Sequence, residues 1–285
     1  GIAQASRNTG RHMISTVLEH ASVGGTLTAL QQQGWEVDLL DIQRDGTIDL
    51  EQLGDLLRKD TILVSVCAVD SELGTVQPIR KITEILKDFP NCRLHVDATQ
   101  AIGKTELVMD GVDTMSIAPH KFYGLNGSGL LLKKSSLIIE PQTHGGSSTT
   151  PYRSGTPALA LAVSIEKALQ LTLTQQEERI RYVRQLNEYL KTALLHYPAV
   201  RINSPEGAVP HILNLSVQGL KGTVFQRVLS ERGVCVSVKS ACSAEGTPSK
   251  AVFAVSGDRK NALSSWRVSL SHLTTREELD EFLQV

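Results

Sequence analysis

Three short segments of the chain put reactive side chains just after apolar, strand-like runs. Asp97 ends "LHVD", His120 and Lys121 follow "MSIAP", and Asp70, Ser71 and Glu72 follow "VSVCAV". In open α/β sheets, ligands gather outside the carboxyl ends of the strands. An acid at one strand end and a lysine at another are what a pyridoxal 5'-phosphate (PLP) site requires. The lysine amine forms a Schiff base with the cofactor, and the acid keeps the pyridine nitrogen protonated so that the ring can draw in electrons. Spacing alone leaves the other reading open, an unrelated Asp and Lys at two loop ends.

Such strand ends need a sheet to carry them, and the chain supplies its pattern. "HMISTVLEH" opens with a strand-like run, "TLTALQQQG" (26–34) reads as a helix closed by glycine, and "WEVDLLDI" as a strand. "DLEQLGDLLRKD" (49–60) reads as a helix with an aspartate cap. "TILVSVCAV" (61–69) is β-branched and almost uncharged, as a buried strand should be. An amphipathic helix, "IRKITEILKDF", and further strands in "CRLHVDAT", "TMSIAPH" and "GSGLLLKK" follow. This alternation implies an α/β fold with a mostly parallel sheet covered by helices.

From about Ala158 the texture changes to one long helical region ending near Tyr197. Strands return in "HILNLSV" and "GVCVSV", and "TTREELDEFL" starts a last helix. The chain therefore divides into two lobes, 1–170 and a smaller α+β part, 171–285, with the boundary inside the long helical region.

The 285 residues suffice for one large domain or two modest ones, with a sizeable core. The hydrophobic fraction is 41% and the net charge −1, which gives no electrostatic footprint for nucleic acid. No apolar run approaches a membrane span, and no segment reads as a signal peptide. The four cysteines form no CxxC pair, so neither a disulfide framework nor a metal site is expected. Free thiols fit a reducing cytoplasm. Cys67, Cys92 and Cys235 lie in apolar strand contexts and read as core, whereas Cys242 sits among small, polar residues in "KSACSAEGTPS".

Five separated words agree in order and approximate spacing with one family. "HVDATQAIGK", "SIAPHKFYG", "RSGTP", "SACS" and "SSWRVSLSHLTTREELD" together resemble the NifS/IscS-type cysteine desulfurases, class V of the aminotransferase-like PLP enzymes. The resemblance runs from about Gly1 to Val285. It implies the PLP-dependent transferase fold type I and assigns roles residue by residue. Lys121 matches the Schiff-base lysine, a nucleophile and base. Asp97 matches the pyridinium partner, Gln100 the donor to the ring's phenolic oxygen, and His120 a contact on the phosphate or Schiff-base side. His20 in "LEHASV" matches the histidine that stacks on the ring and shuttles protons. Thr156 matches a threonine that reaches the partner subunit's cofactor phosphate, which implies a homodimer. Arg267 matches the guanidinium that holds the substrate carboxylate. Cys242 matches the cysteine that takes sulfur from L-cysteine as a persulfide. A sulfur-acceptor protein, serving iron–sulfur cluster or thio-cofactor and tRNA biosynthesis, would then receive it.

The chain departs from the family pattern at several positions. Asp70 and Ser71 replace an Asn-Asn pair whose second member touches cofactor and substrate. Ala118 replaces a phosphate-binding serine, and Lys239 a glycine before "SAC". The family's "GATE"-like loop and helix start, whose backbone N–H groups cradle the phosphate, find no counterpart, so the chain reads as lacking the family's N-terminal segment. Two other readings stay open: a selenocysteine lyase-like enzyme, and a non-catalytic paralogue acting as a binding scaffold.

Overall fold

Residues 1–146, 150–239 and 246–285 are described by a computed structural model. The first half alternates strands and helices: α1 (Ile2–Ala5), β1 (His12–Thr16), α2 (Ala21–Gln32), β2 (Glu36–Leu40), α3 (Leu50–Leu56), β3 (Thr61–Cys67), α4 (Ile79–Leu86), β4 (Arg93–Asp97), β5 (Thr114–Ile117) and β6 (Leu130–Lys133). The strands join one sheet in the order β2-β1-β3-β4-β5-β6. Every neighbouring pair is parallel except β5 and β6. The uncharged run of β3 is buried along nearly its whole length, as a strand covered on both faces must be. Ile14, Val64, Leu94 and Val96 from the sheet pack with Leu53 of α3 and Ile82 of α4 in one core.

The strand order contains one reversal. From β1 the chain adds β2 on one side, then crosses to place β3 on the other. The carboxyl ends of β1 and β3 therefore flank a crevice, where sheets of this kind bind ligands.

Local signals set the helix starts. Asp49 caps α3, its side chain accepting from the backbone N–H groups of Glu51 and Gln52. The helix expected from Thr26 starts at Ala21. His20 caps it by accepting the Ser22 N–H, and the turn extends through Gly24 and Gly25 despite their low propensity.

The second half holds α5 (Leu159–Thr174), α6 (Gln176–Leu194), β7 (Val200–Ile202), β8 (Ile212–Val217), α7 (Gly222–Glu231), α8 (Lys250–Ser256), α9 (Arg259–Ser264), β9 (Ser265–Ser269) and α10 (Arg276–Gln284). The long helical region breaks at Gln175. Ala168 of α5 packs into the first core. Val183, Leu186 and Leu190 of α6 enter a second core with Leu213, Leu215 and Trp266. That core lies on the antiparallel sheet β7-β8-β9. The Trp266 ring meets Phe225 and Phe282 at centroid distances of 4.6 and 6.0 Å. Thr275 and Glu278 form a capping box at the start of α10.

The expected strand in "GVCVSV" does not form. Only Ser237 pairs, in a single bridge to Arg267 beside β9. With no ladder to hold it, this segment turns along the crevice, and Cys235 is exposed rather than core. Cys67 and Cys92 are buried as expected.

The segment after β3 is tied to the second half of the chain from several sides. Arg267 Nη1 donates to Ser71 O at 2.6 Å, Asn214 Nδ2 to Glu72 O at 3.2 Å, and Ser249 Oγ to Glu72 Oε2 at 2.5 Å. Val209 N donates to Gly74 O at 2.9 Å. Gly74 has φ +78°, and a Cβ there would sit 3.0 Å from Ile212 Cβ. Only glycine suits both the left-handed backbone and that approach.

Candidate active site

The crevice holds a cleft of about 1440 Å³. Four of the five parallel strands deliver residues to it from their carboxyl ends. His20 arrives after β1, Ser71 after β3, Asp97 and Gln100 at and after β4, and His120 and Lys121 after β5. Arg267 reaches it from β9 of the second sheet. Thr156 is exposed and is not among the cleft residues. Cys242 lies outside the described residues; Lys239, close to it in sequence, lines the cleft.

Asp97 is buried, and its Oδ1 accepts the Thr99 N–H at 2.9 Å. That bond fixes the carboxylate at the floor of the crevice. His20 uses Nδ1 to accept from Ser22 N, at 3.2 Å. A neutral ring holding that bond carries its proton on Nε2. Pro119–Lys121 form a single 3-10 turn. Phe122 is buried, and the next residue, Tyr123, has φ 72°, a strained conformation for a bulky side chain. The Tyr123 ring packs edge-on to His272 at 4.7 Å, with Arg179 over its face at 5.6 Å. The backbone beside Lys121 is thus held by contacts on both sides of the strained residue.

Arg267 is partly buried, with Nη1 on Ser71 O, and its Nε is buried without a partner among the described residues. Burial pulls its pKa down, against the nearby carboxylates of Glu72 and Asp70. Those acids feel burial too: Asp70 is pushed up to about 7, with the charge of Glu72 adding, and Glu72 is also raised. Asp70 stays in place by accepting the N–H groups of Glu72 and Leu73. It therefore builds the turn that carries Ser71.

Two residues that the motif spacing did not single out stand beside the site. Glu19 Oε1 accepts from Thr16 Oγ1 at 3.0 Å and from Cys67 N at 2.8 Å. Its Oε2 is buried with no partner among the described residues. Burial, with the Asp97 charge adding, pushes Glu19 up to about 8. Lys104 Nζ donates to Gln100 Oε1 at 2.6 Å. Both sit inside quoted words, but burial, which the words do not show, gives them their properties.

Glu19 makes stability depend on pH. The folded protein holds its proton up to about 8, while the unfolded chain releases it near 4.5. Between those values the folded state binds more protons, so stability is fullest below about 4.5 and falls as pH rises through 8. Glu19→Gln removes this loss. Its urea midpoint is expected to match the wild type at pH 5 and exceed it at pH 8.5, with a smaller slope surviving from Asp70. Parallel pH curves for both proteins would refute the assignment.

The donor set fits PLP on its ring side: a buried acid for the pyridine nitrogen, an amide for the phenolic oxygen, an imidazole for the ring face and a lysine amine for the aldehyde. His120 also lines the cleft, while Ala118 offers it only a methyl.

Fold and site together are those of a PLP-dependent transferase of fold type I. The class-V aminotransferase family matches residues 1–282, and the chain belongs to that family. Within it, the chain is 37% identical to a NifS/IscS-type protein homologue of Lactobacillus delbrueckii subsp. bulgaricus, covering 99% of this chain and 75% of that one. It is 33% identical to the cysteine desulfurase IscS of Dictyoglomus turgidum, over 100% of this chain and 73% of the relative. A solved NifS-like protein superposes with a TM-score of 0.92 at 31% identity, over 99% of this chain and 76% of that one. A structure described as SspA in complex with cysteine gives 0.81 at 27% identity, over 96% of this chain and 78% of that one. Enzymes of this family depend on PLP, and the cysteine desulfurases are the group this chain joins. Among the described residues no helix is long and apolar enough to cross a membrane, and no cluster could hold a metal ion.

Proposed function

We propose that the chain acts as a cysteine desulfurase, converting L-cysteine to L-alanine and taking the sulfur as a persulfide on Cys242. The observation that carries this reading is the convergence of Lys121, Asp97, Gln100, His20 and Arg267, from four strands of two sheets, on one cleft. Bound PLP would supply an electron-withdrawing ring next to the substrate's α-carbon. Asp97 would hold the pyridine nitrogen, Gln100 the phenolic oxygen and His120 the phosphate side. Lys121 would hold the cofactor through its amine and move the proton at the α-carbon.

Arg267 would bind the substrate carboxylate. Its unpartnered Nε and its planar fork suit an incoming anion, and Ser71 stands beside it. His20 would present Nε2–H to the ring. The Cys242 thiolate would attack the substrate sulfur. A sulfur–sulfur bond forms and the carbon–sulfur bond breaks; the electron pair left on carbon takes a proton, and alanine leaves. A homodimer, with Thr156 reaching the partner's site, and a sulfur-acceptor protein complete the reading. The persulfide would feed iron–sulfur cluster, thio-cofactor or tRNA sulfur chemistry.

The test is direct. Purified protein with PLP is expected to develop the visible absorption band of a lysine-bound cofactor. With L-cysteine and a thiol reductant it should release sulfide and alanine in equal amounts. A band with turnover of L-selenocysteine and none of L-cysteine would replace the reading with a selenocysteine lyase. Absence of the band would favour a binding scaffold.

A further inference from the structure

Gln100 can present either end of its amide to the cleft, and the structure decides which. Its oxygen accepts from Lys104 Nζ at 2.6 Å. While Lys104 is protonated it has three donors and no acceptor, so only the amide oxygen can face it. The amide NH2 must then point away from Lys104. The two residues are spaced i, i+4 in a helical turn after β4. Ala101 and Ile102 donate to Ala98 O, and Lys104 and Thr105 donate to Ala101 O. Four-residue spacing puts both side chains on one face of that turn.

The turn itself is braced. Gly103 has φ +73°, and a Cβ there would lie 2.3 Å from Thr172 Cγ2 of α5. Gln176 Nε2 donates to Thr105 O at 3.2 Å. Lys104 is part-buried, and it has cations rather than acids around it. Lys121 and Arg267 add to the effect of burial, and the Lys104 ammonium is pulled down to about 7. Its charge in turn contributes to holding His211 neutral, at about 3, where burial is the main cause. No ion pair to Lys104 is present among the described residues. A lysine kept in so unfavourable a place, bonded to a cleft residue, has that residue as its visible function.

Resting on the desulfurase reading above, we propose that Lys104 is a positioning residue: it locks the Gln100 amide with Oε1 turned inward and Nε2–H presented to the phenolic oxygen of PLP. The lock makes Gln100 a donor only. It thereby favours the phenolate form of that oxygen and strengthens cofactor binding.

The test uses the holoprotein and two readouts other than turnover: the pH titration of the bound-cofactor band and the dissociation constant for PLP. Lys104→Met is expected to weaken PLP binding roughly tenfold, the effect of losing one oriented hydrogen bond to a charged group. It should also raise the pH at which the band titrates. Lys104→Arg keeps a donor and should restore most of both. Gln100→Glu keeps a partner for Lys104 but offers no donor, so it should move both readouts in the direction of Lys104→Met while leaving the turn intact. In a Gln100→Leu background, Lys104→Met should add nothing. A shift of equal size in that background would mean that Lys104 acts through its charge alone, and would overturn the proposal. So would a Lys104→Met protein with wild-type titration and affinity. A wild-type protein that forms no band would instead sink the desulfurase reading on which this one rests.

Discussion

Lys121→Ala is expected to yield a folded protein that binds PLP without the band of the lysine-bound form, and that releases sulfide from L-cysteine at 0.1% of the wild-type rate or less, on the order of the 10²–10⁴-fold carried by one proton-transfer group with the covalent hold on the cofactor lost besides. The variant should fold because Lys121 is exposed and its side chain makes no hydrogen bond among the described contacts that hold the turn. Phe122 and the ring contacts of Tyr123 anchor that backbone independently. Absorption spectra before and after dialysis separate the two effects: the wild type should retain its cofactor and Lys121→Ala should lose it. A variant that keeps both band and rate would show that another amine holds the cofactor. Lys104, which feels the Lys121 charge, is a candidate, and Lys104→Met in the same background tests it.

Cys242→Ala should behave in the opposite way. The cofactor band and its titration should stay as in the wild type, because none of the proposed ring contacts comes from that residue. Sulfide release should fall below detection, since the carbon–sulfur bond needs a thiolate to receive the sulfur. Mass spectrometry after L-cysteine without reductant should show one added sulfur on the wild type and none on the variant. Cys235 provides the control, as an exposed thiol lining the same cleft. Cys235→Ala should retain the rate. If it does not, and Cys242→Ala does, the persulfide belongs on Cys235.

Much of this site was legible before any coordinates. Asp97 and Lys121 declared themselves because strand ends in a parallel sheet are where side chains can meet a ligand, and the runs of β4 and β5 mark those ends. Asp49 announced its helix through its own side chain. The misses have separate causes. "GVCVSV" has the composition of a strand, but a strand also needs a free edge in register, and only Ser237 finds one. The early start of α2 depends on a histidine acting as a cap, which composition ranks low. Glu19 and Lys104 gain their properties from burial beside Asp97, Lys121 and Arg267, and burial of a charged side chain is set by neighbours distant in sequence.

The ties between residues 71–74 and the second half of the chain also bear on how the chain folds. Three of them join residues 142, 177 and 196 positions apart. Closing such spans costs chain entropy before any contact repays it, and contacts of this range form slowly. The parallel sheet can assemble from nearer partners, so the crevice is expected to close last in refolding and to open first in urea. Sulfide release from L-cysteine, which on the proposed reading needs Lys121 on one wall and Arg267 on the other, would then report the final step of folding. Its recovery after dilution from denaturant should lag behind the return of helical circular dichroism.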